Sequence, residues 1–196
     1  MSGPDRPRLS SEVVDRFRRV RITDALALEC MARGYRATTI AHVVSGAGTS
    51  RNTVYQHFEN KEAIFLALLE RVLSEVAERV DLACAEAGDP RARIGAGMGA
   101  VLDWAAADPA GASAALVHCL AVSERAIAIQ AAALADFADR LRSCVPADRP
   151  KTPLAEMLVG GVTTILGARL LSGESDSMPA LLPELTAFIT EPLLGE

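Results

Sequence analysis

Apolar residues recur along this chain at helical spacing almost from end to end, and two-residue alternation is missing. Ile22, Leu26 and Cys30, with Ala25 beside them, mark one buried stripe. The pattern predicts a helix starting at Ser10 or Ser11, either of which can cap it, and running to about Arg33, with Gly34 just past its end. Thr38 is expected to cap a two-turn helix over 39–45. A turn holding Gly46 and Gly48 leads to a second short helix, about 51–57, capped by Ser50. Asn60 then caps a long helix over 61–87. Ile64, Leu68, Val72 and Val76 lie on one face, Phe65, Leu69 and Val80 lie nearby, and Gly88 stops it.

Three further helix starts share one chemistry, an Asp or Thr cap followed by proline at the first helical position: Asp89-Pro90, Asp108-Pro109 and Thr152-Pro153. They predict helices over 90–107, 109–120 and 153–172. Ser123 caps another over 124–145, ended by Pro146. The last is expected over 179–191, starting near Pro179, with Pro183 in its first turn where a missing N–H costs least. The expectation is an all-α fold of nine helices without strands, preceded by a mobile arm over 1–9 that contains Pro4 and Pro7.

Composition fits that picture. Of 196 residues, 50% are hydrophobic and 23% charged, enough apolar side chain for a real core and too much for a disordered chain. The length allows one domain, or a small one joined to a larger one. Arg, Asp, Glu or Pro interrupts each apolar run before it reaches the roughly 18 residues of a membrane span, so no membrane partner is expected. The opening MSGPDRPRLSS lacks the apolar centre of a secretory signal, and a cytoplasmic location follows as an expectation. Charge is unevenly spread. Residues 1–62 hold ten Lys+Arg against seven Asp+Glu, and residues 63–196 hold ten against eighteen, so +3 and −8 make the net −5. A basic start on an acidic remainder hints at two separate tasks.

The cysteines, Cys30, Cys84, Cys119 and Cys144, are far apart and form no C-x-x-C pair, so they read as reduced thiols inside a core. His118 and Cys119 are adjacent, and neighbours on a helix point about 100° apart, which rules out a dyad between them. With three His, no H-E-x-x-H and no G-x-S-x-G, the sequence offers no catalytic set, no metal site and no cofactor motif.

The chemistry gathers in residues 34–62, GYRATTIAHVVSGAGTSRNTVYQHFENKE: two capped short helices and a glycine turn between two long helices, a helix-turn-helix layout. The second short helix opens on a polar turn, Ser50, Arg51, Asn52 and Thr53, while Val54 and Phe58 form an apolar i, i+4 pair behind it. Arg can pair bidentately with guanine and Asn with adenine, and Thr offers a hydroxyl and a methyl group. Recognition helices enter the major groove by that end. Thr38, Thr39 and Lys61 sit at helix starts, where free N–H groups attract phosphate, and Tyr55 and His57 extend the same surface.

These residues resemble the TetR family of transcriptional regulators. The resemblance is carried by Ile22 and Ala25, Gly34-Tyr35, Thr38-Thr39-Ile40, Ala47-Gly48-Thr49-Ser50, Thr53-Val54-Tyr55, His57-Phe58 and Lys61-Glu62, about 45 residues in order without a gap. It implies a homodimer that binds double-stranded DNA through residues 1–60, with residues 61–196 forming a helical body for effector binding and dimerisation. Arg51, Asn52 and Thr53 would then face bases, and Thr38, Thr39, Ser50, Tyr55, His57 and Lys61 the DNA backbone. Two positions depart from the family pattern: Asn52, where a small residue is common, and Thr49, where a Val usually packs. Asn52 implies an unusual operator preference. Gly46 replaces part of an Ala-rich stretch and is expected to loosen the first short helix.

In the body, Gly160, Gly161 and Gly167 fall inside the penultimate helix, each costing up to about 1 kcal/mol against Ala, as expected where another helix approaches closely. The resemblance places the dimer contact on the last two helices, through Leu158, Gly161, Val162, Ile165, Leu166, Leu185, Phe188 and Ile189. On the helices that border the usual cavity of that family, the candidate lining of an effector pocket is Met98, Leu102, Trp104, His118, Leu134, Phe137 and Met157, a largely apolar set suited to a small, largely apolar effector. The function expected is a dimeric repressor released from a palindromic operator by that effector. The alternatives are a DNA-binding regulator with no small-molecule effector, for instance one that senses protein partners, and a helical cytosolic enzyme.

Overall fold

The computed structural model describes residues 11–145 and 153–195. The expected arm over 1–9, the alternative cap Ser10, the stop at Pro146 and the cap Thr152 lie outside the described residues. Helix α1 spans Ser11–Ala37 and breaks its helical geometry at Gly34 (φ 78°, ψ 156°). The predicted stop is therefore a kink followed by one more turn. Helices α2 (Ile40–Gly46) and α3 (Arg51–His57) follow, then the long α4 (Lys61–Ala85) and α5 (Pro90–Ala107). Helix α6 (Pro109–Ser113) winds into a π turn over Ala114–His118 and a 3-10 turn over Cys119–Ala121, where one continuous α-helix was expected. Helices α7 (Glu124–Ser143) and α8 (Leu154–Leu171) complete the larger bundle with α9 (Leu182–Thr190). The α9 start differs from the expectation. Pro179 lies within a 3-10 stretch, Ser175–Leu181, and α9 proper begins just before Pro183, which takes the early position where its missing N–H is tolerated. Among the described residues there is no strand.

The side-chain caps read from sequence are present at Ser50, Asn60, Asp89, Asp108 and Ser123, each accepting from a backbone N–H three residues on. At α2 the cap is one residue later than expected. Thr39, not Thr38, is extended at the N-cap and completes a capping box with His42: its Oγ1 accepts from His42 N, and its own N–H donates to His42 Nδ1 at 3.2 Å. Thr38 is 1% exposed, and its hydroxyl donates to the Gly34 carbonyl at 2.9 Å.

A continuous core joins both ends of the chain. Ile22, Ala25, Leu26 and Cys30 from α1 meet Val43 of α2 and Val54 of α3, and Ile64, Phe65, Leu68, Leu69 and Val72 carry the core along α4. Helix α4 packs against α1, α5 and α7, and α6 with its π turn packs against α1. Gly46 also has a packing role: a Cβ there would come within 3.3 Å of the Ala25 Cβ, so the glycine lets α2 approach α1 closely.

Helix α8 has 18 residues and mean hydropathy 1.5, so by length and composition it could cross a membrane. The sequence reading excluded any such run because Glu156 and Arg169 interrupt it. In the fold, α8 is a bundle helix whose Leu158, Val162 and Leu166 lie in the core.

Candidate nucleic-acid interface and body cavity

Helices α2 and α3 form a helix-turn-helix. The turn is set by Gly48, whose φ of 56° is a left-handed conformation that a side chain disfavours. Its N–H donates to Ser45 O at 3.1 Å and the Thr49 N–H to Val44 O at 3.2 Å, satisfying carbonyls at the end of α2. Val54 and Phe58 are buried on the back of α3, as their spacing predicts. That burial turns the opposite side outward: Arg51, Asn52, Tyr55 and Gln56 are exposed.

At the front, Ser50 Oγ accepts from Thr53 N at 3.0 Å and lies 2.8 Å from Thr53 Oγ1, so the Thr53 hydroxyl is partly engaged. The Arg51 guanidinium stands 5.6 Å from the centre of the Tyr55 ring and donates weakly to its hydroxyl at 3.4 Å. Arg51 and Tyr55 thus form one exposed ledge. The Asn52 side chain has no hydrogen bond among the described residues. Thr39 is exposed beside this surface and His57 is half-buried.

Two expected surface contacts are placed differently. Thr38 cannot offer its hydroxyl to a phosphate, because that hydroxyl is buried and bonded to Gly34 O. Lys61 is turned inward. Its ammonium donates to Tyr35 O at 2.8 Å and to Thr38 O at 2.7 Å and stands 4.0 Å from the Tyr35 ring centre. Burial pushes its pKa down and the Tyr35 phenol up to about 12. Lys61 therefore pins the turn between Gly34 and α2, with two of its three protons committed.

Two residues that sequence reasoning missed hold the ends of α2 and α3 in place. Arg19 donates to the His57 carbonyl at 2.9 Å and lies 4.4 Å over the Phe58 ring, and Arg21 donates to the Ala47 carbonyl. Both brace helix C-termini, where cations are favoured. The basic run over 16–21 was the available signal, but linear spacing does not say which arginine meets which carbonyl.

Within the larger bundle, α4, α5, α7, α8, the π turn and α9 enclose a cavity of about 120 Å³. Met98, Trp104, Leu134 and Phe137 line it as expected. Three candidates do not. Leu102 is buried in the core away from the cavity, His118 is half-buried outside it, and Met157 is 67% exposed. Desolvation pushes the His118 imidazole below its usual 6.5. The lining that sequence reasoning missed includes Val76, Val80 and Cys84 of α4, Arg93 of α5, Leu116 of the π turn and Arg140 of α7. The indole N–H of Trp104 is buried without a hydrogen-bond partner among the described residues.

Most of the residues expected at the dimer contact lie inside the chain. Leu158, Val162, Leu166, Leu185 and Ile189 are buried within the chain itself, and Val162, Leu166 and Ile189 line the cavity. Gly161 is the site of a close approach. A Cβ there would lie 3.1–3.2 Å from the Phe188 ring of α9. Ile165 (37% exposed) and Phe188 (44%) remain outward with Met157 and Leu171.

The profile of bacterial regulatory proteins of the tetR family matches residues 22–68, from the core stripe of α1 through the first turns of α4. Over residues 22–68 the chain resembles the tetR family of bacterial regulatory proteins. The HTH-type transcriptional activator FasR of Mycolicibacterium smegmatis is 33% identical over 79 residues, which are 40% of this chain and 36% of that protein. The match thus spans about a third of the relative's length. Among solved structures, the fatty acid degradation regulator FadR from Bacillus halodurans superimposes with a TM-score of 0.78 at 14% identity, covering 93% of this chain and 97% of its own. The transcriptional regulator FadR from Bacillus subtilis, in complex with stearoyl-CoA, gives 0.76 at 15% identity, covering 87% and 96%. At such identities the likeness is one of fold, and it covers the bundle as well as the helix-turn-helix.

Proposed function

We propose that this regulator is a homodimer that represses transcription from a palindromic operator and leaves it when a small, largely apolar effector fills the bundle cavity. The observation that carries the DNA-binding reading is the polarity of α3: Val54 and Phe58 fix its back in the core while Arg51 and Asn52 are exposed at its N-terminal turn. Residues 1–60 act as the DNA-binding unit and residues 61–196 as the effector and dimerisation unit. Arg51, Asn52 and the Thr53 methyl read base edges. Thr39, Ser50, Tyr55, His57 and the N-terminal N–H groups of α4 meet phosphates.

Dimerisation runs through the outward stripe of α8, Met157, Thr164, Ile165, Ala168 and Leu171, with Phe188 of α9 beside it. Such a stripe on a helix of mean hydropathy 1.5 is apolar surface that a second copy would cover. Two heads then face successive major grooves about 34–36 Å apart. The π turn supports coupling between cavity and head. Leu116 lines the cavity while the turn that carries it packs on α1. Gln130 donates to the Ala115 carbonyl at 2.7 Å and holds that turn in its present winding. An effector that widens the cavity shifts the turn, and release follows only if it binds the DNA-free conformer more tightly.

The long apolar lining agrees with the stearoyl-CoA bound by the FadR structure of the same fold. The test is selection of DNA fragments by the purified chain, followed by release from the selected fragment on adding apolar compounds. Indifference to all duplexes overturns the reading. A second reading, activation, is favoured by the 79-residue likeness to FasR, a transcriptional activator. A reporter driven from the selected site separates the two by the sign of its response to deleting the regulator.

A further inference from the structure

Two arginines contribute to one end of the cavity wall. Among the described residues that line it, only Arg93 and Arg140 are charged, and both are cations. Both guanidinium groups are within electrostatic reach of the Cys84 thiol, which marks their common end of the cavity. On α5 the lining positions are Arg93, Ile94, Gly97, Met98, Val101 and Trp104, a single stripe at helical spacing. Eleven steps of helical rise set Trp104 about 16 Å along the axis from Arg93.

The two arginines are differently occupied. Arg93 has no ion-pair partner among the described residues. Arg140 forms a bidentate pair with Asp81 of α4, Nε to Oδ1 at 2.7 Å and Nη2 to Oδ2 at 2.8 Å, and Asp81 is largely exposed. Asp81 takes Nε and Nη2, which leaves the Nη1 donors of Arg140 for a second anion arriving from the cavity side. The lining surface is almost wholly apolar, so both arginines wall the cavity chiefly with their stems, and a head group would meet the guanidinium groups where the stems end. Guanidinium binds carboxylate or phosphate oxygens through a matched fork of N–H donors.

We infer that the effector is an amphiphile with an anionic head, seated with its head at Arg93 and Arg140 and its apolar chain directed along α5 toward Trp104. The inference rests on the effector reading above and adds the chemistry of the head and the direction of entry. Neutral apolar molecules fit the walls but leave Arg93 unanswered. The cavity is smaller than the roughly 300–1,000 Å³ of drug-sized pockets, so medium chains enter first and longer ones must widen it.

Trp104 is the only tryptophan of the chain, and it lies at the tail end, so its fluorescence reports occupancy directly. The full chain is titrated with decanoate, methyl decanoate and decanoyl-CoA, and so are the variants Arg93→Gln and Arg140→Lys. The latter keeps the charge and loses the fork. The expected result is that an anionic probe changes the Trp104 emission at least about tenfold more tightly than the ester, a difference of one decade in Kd. Arg93→Gln should remove that advantage while leaving the ester unchanged. Dependence on Arg93 seen with decanoate assigns a carboxylate head. The same dependence seen only with decanoyl-CoA assigns the phosphates. If the ester binds as tightly as both anions, or if both variants bind the anions like the wild-type chain, the head assignment is overturned and the apolar-effector reading stands. If none of the three probes alters Trp104 emission, the effector reading fails and this inference falls with it.

Discussion

Replacing Lys61 by Met separates two roles for a residue at the start of α4. In the structure its ammonium donates to the carbonyls of Tyr35 and Thr38 at 2.8 and 2.7 Å and lies 4.0 Å from the Tyr35 ring. Hydrogen bonds from a charged donor contribute about 1.5–3 kcal/mol, and the ring contact about 0.5–1 kcal/mol more. Methionine keeps most of the stem packing and restores some apolar burial, so a net loss of about 2–3 kcal/mol is expected. For a chain of this size that lowers the melting temperature by roughly 5–10 °C. A phosphate ligand would behave otherwise. Its removal would leave the melt unchanged and cut the slope of log K against log salt by about 0.9. Thermal denaturation by circular dichroism and fluorescence anisotropy on a selected duplex at several salt concentrations give both numbers. An unchanged melt with a slope reduced by nearly one unit would refute the assignment of Lys61 to the turn.

The other expected outcomes are simpler. Arg51→Ala and Asn52→Ala should each weaken the selected duplex by about 1–3 kcal/mol and relax preference at one base position, leaving non-specific affinity nearly unchanged; competition binding against random DNA checks this. Gly48→Ala forces a Cβ into a left-handed turn residue (φ 56°) and should cost about 1–2 kcal/mol in a urea melt. His118 has its folded pKa pushed below 6.5 by burial, so the unfolded chain binds more protons in the window below 6.5. Stability should therefore fall as pH drops through that window, and His118→Gln should flatten the dependence in melts at pH 7.5 and 5.5. Ile165→Arg places a charge on the outward stripe of α8 and should convert dimers to monomers by light scattering, whereas an unchanged mass removes α8 from the interface.

Local chemistry made the head legible. Caps at Ser50 and Asn60, the Gly48 turn and the Val54–Phe58 pair are each decided within four residues, and the fold keeps them all. The cap of α2 slipped by one residue because two adjacent threonines offer the same hydroxyl. Which of them caps depends on the kink at Gly34, whose carbonyl takes the Thr38 hydroxyl. The inward turn of Lys61 was hidden because its partners are 23 and 26 residues away. In the body, helix existence was readable and helix facing was not. Helix α8 is apolar nearly all round, so its sequence did not separate Leu158 and Val162, which fill the core, from Ile165, which faces out. The π turn left no mark either. It depends on Gln130 reaching Ala115 O from the next helix. Arg93 and Arg140 escaped because a search for apolar lining passes over charged residues.

The most direct measurement of the central claim is a DNA footprint on selected genomic fragments, with the wild-type chain and the double variant Arg51→Ala/Asn52→Ala side by side. The expected result is a protected palindrome with half-sites one helical turn, or a whole multiple of it, apart. The double variant should lose that protection while its circular dichroism remains that of the folded helical chain. Identical protection by both proteins would contradict the account, because some other surface would then be reading the DNA.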